Sequence, residues 1–120
     1  MTVRRVKTYT AQTGYVYEYY FVGKRPALAD DPLAPSTEFI FDVSSDRKSI
    51  FAVSVFLPPR VLETYAAEHG RTLSDTEQYA VVKLRLLQGF DEIASMQHDG
   101  RRLTLDAEAL PVLLESVGID

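Results

Sequence analysis

Tyr15-Val16-Tyr17-Glu18-Tyr19-Tyr20-Phe21-Val22 is the stretch on which the fold turns. Every residue in it except Glu18 is aromatic or β-branched, the side-chain types that fit a pleated surface, so it is expected to be a strand. Alternation puts Tyr15, Tyr17, Tyr19 and Phe21 on one side of the sheet and Val16, Glu18, Tyr20 and Val22 on the other. Both sides are largely apolar, so both call for cover. Upstream, Val3 to Thr10 has strand-forming residues, and Gln12-Thr13-Gly14 supplies a turn between the two runs. The pair reads as a hairpin.

Working downstream, the segment 24–37 carries Pro26, Pro32 and Pro35 with Asp30 and Asp31 and is expected to be the one long loop. Glu38 to Ser44 and Ser49 to Leu57 form a second hairpin around Ser45-Asp46-Arg47-Lys48. Pro58-Pro59 stops strand pairing and suits a helix start. Leu62, Tyr65, Ala66 and His69 follow at helical spacing, with Gly70 where a left-handed cap belongs. Ser74-Asp75-Thr76-Glu77 is a capping box. From it a helix of about 20 residues runs, with Tyr79, Val82, Leu86, Phe90 and Ile93 on one face. Arg102 to Leu105 alternates as a short fifth strand. Asp106 caps a last helix that reaches Val117, which Pro111 is expected to kink or divide. Strands first and helices after indicate an α+β fold: an antiparallel sheet of four to five strands with two to three C-terminal helices packed on one face.

With 120 residues and 13.5 kDa, the chain is the size of one domain, taken as 1–120 with the Pro-rich loop inside it. It has no cysteine, which excludes disulfides, thiol catalysis and thiolate zinc sites. The net charge is −4 and the basic residues are scattered, whereas non-specific nucleic-acid affinity needs clustered Lys and Arg, so no nucleic-acid partner is expected. Val61 to Phe90 has the outline of a helix-turn-helix. Its second helix, however, opens on Asp75 and Glu77, which would repel phosphates. No apolar run approaches the roughly 20 residues needed to span a bilayer. Met1-Thr2-Val3-Arg4-Arg5 has no apolar stretch behind it, so no secretory signal is expected. A cytoplasmic protein without a membrane partner is the expectation.

Two constellations remain as candidate sites. Tyr15, Tyr17, Tyr19, Tyr20 and Phe21 form a binding surface if one row of the strand is left uncovered, tyrosine being enriched in interface cores. Self-association as a homodimer then covers what one short chain leaves open. Glu38 and Asp42 share a strand face, and Glu18 joins them if the hairpins pair in a suitable register. Together with Tyr20, and with the long loop as a lid, they suit a metal-assisted or acid–base enzyme. They equally suit a solvated face with Lys7, Arg47 and Lys48 as ionic partners. His69 and His98 sit at helix ends, where a cationic cap accounts for both. There is no phosphate loop, serine elbow, paired-histidine zinc helix or calcium loop, and no cofactor is expected. The sequence therefore favours a small non-enzymatic binding domain that self-associates; the carboxylate enzyme is the alternative.

Overall fold

A computed structural model describes residues 5–118. Strands β1 (Lys7–Thr10), β2 (Val16–Pro26), β3 (Thr37–Ser44) and β4 (Phe51–Leu57) are followed by α1 (Pro59–His69), α2 (Asp75–Glu92), α3 (Met96–Asp99), β5 (Arg102–Thr104) and α4 (Ala109–Ser116). The sheet order is β1-β2-β3-β4-β5. The first four strands pair antiparallel with their neighbours. Val3 and Arg4, expected at the start of the first strand, lie outside the described residues.

The fifth strand departs from the all-antiparallel expectation, because β5 runs parallel to β4. The chain between them passes through α1, α2 and α3, the helical crossover that parallel neighbours require. The long loop is also shorter than expected. β2 continues through Lys24 and Arg25 to Pro26, which pairs with Thr37. Proline is tolerated there because β1 pairs only with Val16 to Tyr19, so Pro26 has a ladder neighbour on the β3 side alone among the described residues.

Local chemistry explains the helix ends. α1 starts behind extended Pro58 with Pro59 in its first turn and stops at Gly70, whose φ of 71° is left-handed. The Gly70 N–H donates to the Ala66 carbonyl at 2.8 Å. At the head of α2, the Glu77 N–H donates to Ser74 Oγ (3.2 Å) and the Ser74 N–H to Glu77 Oε1 (2.9 Å), completing the capping box. α2 stops at Glu92, so His98 belongs to the separate turn α3 rather than to the end of the long helix. Pro111 neither kinks nor divides α4. It stands in the first turn, where its missing N–H would have no helical partner, and Asp106 Oδ1 accepts the Ala109 N–H at 2.7 Å just ahead of it.

All the helices lie against one face of the sheet. Tyr17, Tyr19, Phe41, Val53, Val55 and Leu103 meet Val82, Leu86, Phe90, Leu110 and Leu114 in one buried cluster. Gly89 lets α2 press on β5, since a Cβ there would stand 2.9 Å from Leu103 Cδ1. No described helix is long and apolar enough to cross a membrane.

Candidate functional site: the open face of the sheet

The register decides which row of the tyrosine strand is core. Tyr9 opposes Tyr17 and Lys7 opposes Tyr19, while Phe21 opposes Phe41. Tyr17 and Tyr19 therefore point into the helical layer, where they are 1% and 4% exposed. The Tyr17 ring stacks on Phe90 with centroids 4.1 Å apart and planes 8° from parallel. Burial raises the hydroxyl pKa of both tyrosines above the usual value. Both belong to the group expected to form a binding surface; within the chain their rings are covered by α2.

The other three residues of that group stay nearer the surface. Tyr15 is exposed at the hairpin end, and Phe21 is partly exposed against Phe39, Phe41 and the edge of Tyr79. Tyr20 faces the opposite side and donates its hydroxyl to Asp42 Oδ2 at 2.6 Å. Between Phe21 and Gly23 the register slips by one residue, so Val22 is the extra residue of a β-bulge. The slip resets the alternation. Lys24 now opposes inward-facing Phe39, and Arg25 opposes Glu38 on the open face.

The open face is where the three carboxylates stand, each with its own partner. Glu38, which is buried, accepts from Ser54 Oγ (2.6 Å) and Arg25 Nε (3.1 Å). Glu18 pairs with Arg47 Nε at 3.3 Å, and Asp42 takes the Tyr20 hydroxyl. Glu18 opposes Ser44, which sets it diagonally beside Asp42. Glu38 lies four residues along β3 from Asp42, roughly 13 Å at strand spacing, too far to share one ion or one proton. So the structure brings Glu18, Tyr20 and Asp42 together and leaves Glu38 apart. Among the described residues, no three His, Asp or Glu side chains are grouped so as to hold a metal ion.

Around Tyr20 the face dips into a depression of about 160 Å³, lined by Val6, Glu18, Tyr20, Asp42, Arg47 and Ile50 among others. Val6 and Ile50 on its rim are exposed, and Val16 is exposed farther along the same row of β2. The surface is therefore apolar at several points and fringed by ion pairs of both signs. The 44–51 turn holds the rim in place. Asp46 Oδ1 accepts the Lys48 and Ser49 N–H groups (2.8 and 2.9 Å), and Ser44 Oγ accepts that of Arg47, whose φ is 64°. The backbone donors of Ser49 and Lys48 hold the Asp46 carboxyl below its usual pKa.

Sequence reasoning missed Asp91, which fixes how the first hairpin meets α2. Its carboxylate accepts the Tyr9 hydroxyl (2.6 Å) and the Gln12 N–H (2.9 Å). The available signal was an acid in the last turn of a helix, where the dipole disfavours it and a specific donor is called for. His69, as expected, ends α1, stacked on Tyr65 and 3.2 Å from the Tyr65 carbonyl; His98 is exposed. No protein-family model matches the chain, and no match is found among curated proteins or solved structures.

Proposed function

We propose that the chain is a small non-enzymatic binding domain that associates with a second copy of itself through the open face of the sheet. The observation that carries this is the pair of exposed residues Val6 and Ile50 beside half-buried Tyr20 in the depression of the open face, with Val16 exposed farther along the same row of β2. Isolated exposed apolar residues are ordinary, but several on one sheet face are the pattern of an interface core. Charge favours a second copy as the partner. The fringe holds Glu18 and Asp42 with Arg47 and Lys48, so a two-fold axis can set acids of one copy near bases of the other.

The face is a better candidate than the edge. β2 beyond Tyr19 carries a bulge, Lys24, Arg25 and Pro26, the devices that discourage strand-to-strand addition. A cytoplasmic setting accompanies the proposal, supported by the absence of cysteine. Light scattering on a sizing column tests it: the native chain is expected to give twice the 13.5 kDa chain mass, and Val16→Asp with Ile50→Asp a single chain mass with its far-UV circular dichroism unchanged. A monomeric native chain at high micromolar concentration would refute it.

A further inference from the structure

Phe56 is fully buried, yet it lies outside the main core cluster. It opposes Glu38 in β3 and Thr104 in β5, so it points to the open face, where its neighbours along β4, Ala52 and Ser54, are exposed and half-buried. Something on that side must cover it. The Arg102 guanidinium stands over its ring, 4.7 Å from the centroid, and Arg102 Nη2 donates to Asp31 Oδ1 at 2.6 Å. Asp31, Arg102 and Phe56 are thus stacked from the Pro-rich segment down to the sheet.

The segment 27–36 is shaped by hydrogen bonds within itself. The Ala27 N–H donates to the Ser36 carbonyl (2.8 Å), Ala34 to Asp31 (2.9 Å), and Ser36 Oγ to the Leu33 carbonyl (2.6 Å). Asp31 Oδ1 also accepts the Leu33 N–H at 2.9 Å, so the same oxygen that sets the turn holds Arg102. One wall of a cleft of about 460 Å³ is made by Pro32 to Ser36, the other by Pro58 to Arg60 and Thr104 to Asp106. The segment leans over the sheet with a gap beside it, rather than being packed on both sides. A cleft along one side and a partly exposed ion pair are the marks of a segment at the low-stability end of a fold.

We infer that the segment 27–36 is a latched strap: the Asp31–Arg102 ion pair holds it closed over Phe56, and its release opens the strap as a unit and uncovers a second apolar patch beside Glu38 and Ser54. This does not depend on self-association through the neighbouring part of the face.

A single engineered cysteine reads the opening, because the chain has none of its own. Ser36→Cys places a nearly isosteric thiol at a buried strap position. Its rate of reaction with a disulfide reagent is to be compared in the otherwise native chain and with Asp31→Asn, Arg102→Gln or both. Each latch variant is expected to react about two- to fivefold faster, the factor carried by a partly exposed ion pair, and the double variant no faster than the singles. A Val55→Cys reporter in the main core controls for global unfolding and is expected to react at one rate in all backgrounds. Equal rates at Ser36→Cys, additive effects in the double variant, or a matching acceleration at Val55→Cys would each overturn the latch.

Discussion

Replacing Phe90 by alanine strikes the point where the tyrosine strand meets the long helix. Phe90 is fully buried, stacked on Tyr17 and within 5.8 and 6.1 Å of the Tyr19 and Tyr9 ring centroids. Truncating a buried phenylalanine costs about 3 to 5 kcal/mol, from lost transfer free energy and the cavity left behind. A domain of this length has roughly 6 to 18 kcal/mol of stability, so the variant is expected to fold, but weakly. With a urea slope of about 1.5 kcal/mol/M, the midpoint falls by roughly 2 to 3 M. Urea titration followed by far-UV circular dichroism measures this. A double-mutant cycle with Tyr17→Leu is expected to return a coupling of about 0.5 to 1.5 kcal/mol, the usual worth of a stacked pair beyond its area. A loss below about 1 kcal/mol on Phe90→Ala, or no coupling to Tyr17, would show that the tyrosine row is not packed on α2 and would refute the assignment of faces.

Other outcomes follow from the same contacts. Ser74→Ala removes the acceptor for the Glu77 N–H and is expected to cost about 1 kcal/mol in urea titration, whereas Ser74→Asp keeps the cap and costs little. The Tyr9 hydroxyl, held above its usual pKa first by its bond to Asp91 and then by burial, keeps its contribution to stability below about pH 10 and loses it as pH rises through the raised value. Spectroscopic titration of Asp91→Asn is expected to show Tyr9 ionising earlier. Asp31, Asp46 and Glu77 have their pKa values lowered, chiefly by backbone N–H donors, from ordinary values of 3.8, 3.8 and 4.5. Their contribution is present above those values and is lost as pH falls through the lower folded ones, so acid melts of Glu77→Gln are expected to depend less steeply on pH. Magnesium, manganese or calcium is expected to leave the thermal midpoint of the native chain unchanged, since an ion at 100 times its dissociation constant would add about 2.7 kcal/mol, an easily seen shift.

Much of the fold was legible because its signals are local. The capping box fixed the start of α2, Gly70 the end of α1, and residue types the first two hairpins. The parallel β5 was not legible, because three residues of alternation carry no sign of direction and their partner lies across a helical crossover. Pro26 misled in the opposite way: its effect depends on whether a strand lies on its N–H side, which is a tertiary fact. At the candidate site, alternation alone placed Glu38 and Asp42 on one face. The Tyr20–Asp42 and Arg25–Glu38 pairs needed the register and the bulge at Val22, which no single residue announces. Both rows of the tyrosine strand are largely apolar in sequence, and packing on Phe90 is what distinguishes the buried row from the open one.

Sedimentation equilibrium of the native chain beside Val16→Asp with Ile50→Asp and, separately, Tyr17→Ser is the most direct test of self-association through the open face. The native chain is expected to be a dimer and the open-face pair a folded monomer, while Tyr17→Ser loses about 3 kcal/mol of stability because that ring is buried in the core. A native monomer, or a Tyr17→Ser chain that stays as stable as the native one while losing association, would contradict it.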